Sequence, residues 1–207
     1  MLLCARLMSF RLPMRVFSTQ SMTEEACDAS NFRFIHEKED TSTQDAIRQH
    51  LNASSRVGAL LADIQTQSRG TKGRKWESAT GNLHLTVALP QPTNALSTLS
   101  LRVGLWMAQA VKEQISDVPV VIKWQNDVLV DGKKIAGCLI ESYTFDETPF
   151  PTWMLIGIGI NVHHHPTENM IRPATSLKKF TPVSDSTALA IGKEIAARIS
   201  RWDPNKQ

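Results

Sequence analysis

Asp131-Gly132 separates Val128-Leu129-Val130 from the run Ile135 to Ile140, and this arrangement constrains the fold more than any other local signal. Asp-Gly supplies two residues able to adopt positive φ, which a two-residue hairpin demands, so the flanking runs are predicted as adjacent antiparallel strands. Phe32 to His36, Val118 to Lys123 and Trp153 to Val162 read as further strands. Leu83-His84-Leu85-Thr86-Val87-Ala88-Leu89 alternates with period two, predicting a half-buried strand that Pro90 and Pro92 end. Leu99, Val103, Trp106 and Ala110, with Leu101, Leu105 and Ala108, form a wide apolar helical stripe. Ser42 or Thr43 can cap a short helix from about Gln44 to Leu51, and Leu189, Ile191, Ile195, Ile199 and Trp202 mark a last amphipathic helix. Residues 23 to 31 read as an irregular polar lead-in. A hairpin, with helices between other strands, predicts an α+β fold: a mixed β-sheet covered by helices on one side.

A chain of 207 residues can bury one substantial core. No uninterrupted apolar run approaches the roughly 20 residues of a membrane helix, so no membrane span is expected. Residues 1 to 22 hold Arg6, Arg11 and Arg15 and no acid, and these three account for the whole formal charge of +3. The neutral remainder carries no nucleic-acid footprint. With Leu3, Leu7, Phe10 and Met14 on one helical stripe, residues 1 to 22 resemble a mitochondrial presequence; translation starting at Met22 is the competing reading, which leaves the protein in the cytoplasm. Cys4, Cys27 and Cys138 form no Cys-x-x-Cys pair, so neither a disulfide framework nor a zinc site is signalled. The run His163-His164-His165 cannot easily converge on a metal and reads as a loop.

Arg69-Gly70-Thr71-Lys72-Gly73-Arg74-Lys75-Trp76 places four cations, two glycines and an aromatic in one loop. Glycines let the backbone approach an anion, and arginines fork onto phosphate oxygens. Alone, such a run reads first as a solvated surface loop. Its company is more specific: Lys123-Trp124-Gln125-Asn126-Asp127, Asp131-Gly132-Lys133-Lys134-Ile135-Ala136-Gly137, Gly157-Ile158-Gly159-Ile160-Asn161-Val162, the upstream Thr41-Ser42-Thr43-Gln44 and Gln65, and the later Ala174-Thr175-Ser176-Leu177. In this order, across roughly residues 32 to 180, the motifs resemble the catalytic domain of biotin protein ligases. The family loop reads Gly-Arg-Gly-Arg-x-Gly-Arg-Lys-Trp and the second motif Lys-Trp-Pro-Asn-Asp. Here Thr71 replaces an arginine and Gln125 a proline.

The resemblance implies a fold similar to class II aminoacyl-tRNA synthetases, with residues 23 to 207 as the catalytic domain. It also implies an ATP-dependent ligase that converts biotin to biotinyl-5′-AMP and passes it to a lysine of the biotin-carrier domains of carboxylases. Lys134 matches the lysine that binds the biotin carboxylate and the α-phosphate, whereas Lys133 reads as a solvated neighbour. Lys123, ending an apolar strand, would need an anion partner. Asn126 and Asp127 match positions serving Mg²⁺-ATP and the acceptor lysine; Asp127 is the candidate to orient or deprotonate that lysine, whose free pKa is near 10.4, and a candidate Mg²⁺ contact. Ser42, Thr43, Gln44, Gln65, Arg69, Gly70, Thr71 and Gly137 match biotin-binding positions, and Gly157 with Gly159 leave a flat strand floor for a bicyclic ring. Arg69, Lys72, Arg74, Trp76, Asn126 and Asn161 match the nucleotide side. Family members usually carry a small C-terminal β-domain, and some bacterial ones an N-terminal DNA-binding domain; neither is expected in the residues available. A lipoate protein ligase and a non-catalytic biotin-binding protein are the alternatives. Oligomeric state is not legible.

Overall fold

The computed structural model describes residues 23–27, 32–51, 58–90, 96–144, 153–168 and 172–202; the arginine-bearing segment 1–22 lies outside them. Eleven regular elements follow one another: β1 (Thr23–Cys27), β2 (Phe32–Asp40), α1 (Thr43–Arg48), β3 (Gly58–Gln65), β4 (Leu83–Pro90), α2 (Leu96–Gln114), β5 (Val120–Lys123), β6 (Asp127–Val130), β7 (Lys133–Tyr143), β8 (Trp153–Ile160) and α3 (Thr187–Ser200). The strands form one sheet in the order β1-β2-β3-β4-β8-β7-β6-β5. β2 and β3 run parallel, while β4 pairs antiparallel with β3 and β8. The sheet is therefore mixed and the fold α+β, as expected. The lead-in that reads as irregular instead contains β1, antiparallel to β2.

Helices do not cover one side alone. Alternation along β4 sends Leu83, Leu85, Val87 and Leu89 into a large core shared with Val103 and Met107 of α2 and Ile191, Ile195 and Ile199 of α3. On the opposite face Ala88, Leu60, Ile35 and Leu155 pack with Ala46 and Ile47 of α1. With both faces covered, β4 is buried from Leu83 to Leu89 rather than half-buried. α3 lies close on the sheet at Gly192, where a Cβ would come within 2.9 Å of Leu83 Cδ1. In α2 the inward stripe is Leu99, Val103, Met107, Ala110 and Val111, and Leu105 is left 46 % exposed. Trp202 follows α3 and meets Trp106 edge-on at 6.2 Å.

The Asp131-Gly132 hairpin forms as predicted, with φ of 51° and 71°. The β6–β7 register then slips: Val128 pairs with Ala136 but Leu129 with Lys134, leaving Ile135 as the extra residue. Such a bulge re-aims the side chains beyond it. Without it, Lys134 and Gly137, three residues apart, would face opposite sides of the sheet; with it, Lys134 Nζ comes within 3.1 Å of where a Gly137 Cβ would sit.

Candidate functional site

The face of the sheet beyond α1 has a floor of three glycines, where β7 and β8 put no side chain in the way. Gly137 and Gly159 are register partners, and Gly157 lies two residues along. Each glycine supports a long side chain from elsewhere: Lys134 lies over Gly137, Gln44 over Gly157 and Trp76 over Gly159. A Cβ on Gly159 would stand 2.5 Å from Trp76 Cε2, so the indole needs glycine there.

The cavity on this floor is lined by Ser42, Thr43, Gln44, Gln65, Arg69, Gly70, Thr71, Lys134, Gly137, Gly157 and Gly159, every residue expected on the biotin side, together with Trp76 and Asn126. Cys138, Leu139 and Ile158 complete the wall without having been anticipated. The cavity volume is about 60 Å³, and its mouth opens to solvent.

α1 presents its first turn to the cavity. Ser42 occupies the N-cap position but makes no side-chain cap bond, leaving its hydroxyl 3.5 Å from Arg69. Thr43 gives both its backbone N–H and its hydroxyl to Gln65 Oε1, at 2.9 and 3.1 Å. Gln44 is buried and spends its amide N–H groups on the Leu139 and Leu155 carbonyls, bracing β7 against β8. Cys138 is buried too, and burial pushes its thiol up to about 12, which keeps it protonated and unreactive at neutral pH.

Arg69 does not stand free for phosphate. Its guanidinium meets Asp45 at 2.6 and 3.0 Å and Glu141 at 3.2 and 2.8 Å. Arg48 reaches the same two acids at 3.3 and 3.5 Å, closing a ring of four alternating charges among α1, β7 and the loop. The two carboxylates hold the Arg69 guanidinium even more firmly charged than usual. Asp45 and Glu141 are the main contributors that sequence reasoning missed; Asp45 directly follows the Ser42-Thr43-Gln44 motif, whereas nothing local marks Glu141. Asp45→Asn is expected to cost under about 1 kcal/mol of global stability, because the pairs are partly exposed. It should nonetheless speed tryptic cleavage within residues 69 to 75 several-fold, and an unchanged cleavage rate would show that the ring does not hold the loop.

The loop itself is a narrow hairpin. Arg69 and Lys75 bridge, and Gly70 N–H donates to Arg74 C=O at 2.6 Å. Lys72 and Gly73 take positive φ at its tip. Lys72 and Arg74, expected at the nucleotide, are exposed and outside the cavity wall; Arg74 folds back onto the Thr71 carbonyl and hydroxyl at 3.2 and 3.1 Å. Trp76 is the loop's inward residue, with Lys134 Nζ 5.3 Å from its ring centroid and its own Nε1 buried without a partner.

Lys134 Nζ lies 2.6 Å from Asp127 Oδ1. Asp127 thus has one oxygen committed to the lysine, and among the described residues no His, Cys, Asp and Glu group is arranged to hold a metal. Asn126 donates to the Cys138 carbonyl at 2.7 Å. Besides Lys72 and Arg74, two further expected site residues do not line the cavity. Lys123 pairs in register with Asp127 at the edge of the sheet, is only half-buried and does not line the cavity. Asn161 is buried and gives its amide to the Thr175 carbonyl at 3.0 Å, a structural role. The histidine run forms a loop in which the backbone N–H groups of Val162, His163 and His164 donate to Asn82 Oδ1.

A glycine-floored cavity, walled by a basic hairpin loop and a bulge-directed lysine, thus sits on one face of this mixed sheet. The chain belongs to the biotin/lipoate A/B protein ligase family, whose pattern it matches over residues 36–161. It is 35% identical over 152 residues to the biotin–[acetyl-CoA-carboxylase] ligase of Mycobacterium tuberculosis, covering 69% of this chain and 54% of that one. To the bifunctional ligase/repressor BirA of Bacillus subtilis it is 33% identical over 132 residues, covering 62% of this chain and 40% of the relative. The chain thus spans about half or less of these relatives' lengths. The biotin protein ligase of Aquifex aeolicus in complex with biotin and ATP superposes with a TM-score of 0.67 at 32% identity, over 86% of this chain and 73% of that one. The Leishmania major enzyme in complex with biotin gives 0.65 at 30%, over 81% and 73%.

Proposed function

We propose that this chain activates biotin with Mg²⁺-ATP as biotinyl-5′-AMP and transfers the biotinyl group to a lysine on the biotin-carrier domain of a carboxylase. The observation that carries this reading is the convergence of Lys134, Trp76 and the Ser42-Thr43-Gln65 polar group on a three-glycine floor. The polar end offers the mixture of donors and acceptors that a ureido ring requires. The lysine end offers a cation where the biotin carboxylate meets the α-phosphate, two anions whose repulsion the site must cancel. In the second half-reaction the carrier lysine attacks the acyl carbon, AMP departs, and Asp127, whose Oδ1 lies 2.6 Å from Lys134 Nζ, orients the incoming amine.

Biotin-dependent exchange of labelled pyrophosphate into ATP tests this. Exchange with biotin and not lipoate is expected. Exchange with lipoate would select the lipoate ligase reading, and biotin binding without exchange a non-catalytic binding protein.

Thr71 bears on how long the intermediate stays bound. Where the family has a cation, this loop has a hydroxyl that accepts a bond from Arg74. A charge-assisted hydrogen bond to the adenylate phosphate is worth about 1.5 to 3 kcal/mol, so its loss speeds escape roughly 10- to 100-fold. Thr71→Arg is expected to slow release of preformed biotinyl-adenylate by that factor in stopped-flow. Equal off-rates would make Thr71 a neutral replacement.

A further inference from the structure

Beneath the candidate biotin end lies a hydrogen-bonded relay that leaves one orientation for Gln65. In the β4–β8 register His84 stands opposite Gly159 and Thr86 opposite Gly157, so both side chains point to the cavity face of the sheet. His84 is 1% exposed. Its Nδ1 lies 3.3 Å from the Ala62 carbonyl, which can only accept, so Nδ1 carries a proton. Burial lowers the ring's pKa and keeps it neutral, leaving Nε2 as an acceptor. Ser78 Oγ, 3.1 Å away, therefore donates to Nε2. With its hydrogen committed, Ser78 turns a lone pair to the Gln65 backbone N–H, at 2.8 Å. Gln65 Oε1 accepts two bonds from Thr43, whose hydroxyl in turn accepts one from Thr86 at 2.8 Å. Because the Thr43 backbone N–H can only donate, the Gln65 atom facing it is oxygen. The Gln65 NH₂ is thereby left as the donor available to the cavity.

We propose that His84 and Ser78 are positioning residues that anchor Gln65 at the end of β3 so that its amide NH₂ meets the carbonyl oxygen of a cyclic urea. This rests on the reading of the cavity as a biotin site. Neither residue touches the ligand: His84 sets the direction of the Ser78 hydroxyl, Ser78 sets the backbone of Gln65, and Thr43 with Thr86 sets its side chain. The relay explains a buried histidine near the start of β4, where an unpartnered imidazole would be costly.

Titration calorimetry of the full chain with biotin, beside pyrophosphate exchange, tests the relay. Ser78→Ala removes one oxygen and is expected to weaken biotin binding about tenfold, the worth of one hydrogen bond near 1.4 kcal/mol. KM for ATP and kcat at saturating biotin should stay within about twofold. Ser78→Thr, which keeps the hydroxyl, should bind biotin nearly as the parent does. The decisive readout is a double-mutant cycle: adding Ser78→Ala to Gln65→Ala should produce little further loss, because Ser78 acts through Gln65. Additive losses, or a Ser78→Ala protein that binds biotin normally, would overturn the relay while leaving the biotin site standing. Should Ser78→Ala unfold, the pair His84→Gln, able to bond both Ala62 and Ser78, and His84→Leu, able to bond neither, replaces it; parent-like biotin affinity in the first with a loss in the second supports the relay, and equal affinity in both overturns it. A parent protein that neither binds biotin nor catalyses exchange would remove the underlying reading instead.

Discussion

Lys134→Ala should slow biotin-dependent pyrophosphate exchange by about 10² or more while the protein stays folded. The bulge at Ile135 brings the ammonium over Gly137 and into the cavity, 2.6 Å from Asp127. Two unit charges about 4 Å apart interact by roughly 4 kcal/mol at an effective dielectric of 20, so one cation between a carboxylate and an α-phosphate strongly lowers the barrier to their meeting. Lys133 is the natural control. It lies one residue earlier, points to solvent and makes only a 3.7 Å pair with Asp131. Lys133→Ala should exchange normally. Near-normal exchange by Lys134→Ala would remove the lysine from its proposed role, provided thermal unfolding shows both variants folded.

Gly159→Ala should weaken biotin-dependent turnover by roughly 5- to 150-fold. The added methyl would stand 2.5 Å from Trp76 Cε2, and the ring cannot flex as a long aliphatic chain would. Overpacking of this kind costs about 1 to 3 kcal/mol, which here falls on the position of the Trp76 loop. The β4–β8 and β7–β8 ladders keep their pairing, so the melting temperature should move little. Gly58→Ala adds its methyl near only the Arg33 carbonyl, at 3.6 Å, and serves as the comparison. If both variants turned over alike, the contact between Trp76 and the glycine floor would have no part in the reaction.

Local chemistry foretold several elements. The hairpin was legible because positive φ at two successive residues is a steric demand that Asp-Gly meets unaided. α3 was legible from its apolar spacing. β3 was not: Gly58-Ala59-Leu60-Leu61-Ala62-Asp63 is rich in helix formers and lacks alternation, because it lies between two strands with both faces covered. For the same reason β4 reads as half-buried and is buried from Leu83 to Leu89, since a pattern of residues does not reveal what lies across a sheet.

The sequence by itself marked Gly157 with Gly159, the basic loop, the Lys133-Lys134 pair and the polar residues at the start of α1, because each belongs to a short motif whose members are neighbours along the chain. Only the tertiary structure decided which cations are available. Arg69 is held by Asp45 and Glu141, Arg74 folds onto its own loop, and Lys123 stays at the sheet edge, whereas Lys134 is turned inward by a bulge. A charge's role depends on the oppositely charged groups within a few ångströms of it. Those groups, such as Glu141 opposite Arg69, come from strands far apart in the chain and meet only when the sheet is assembled.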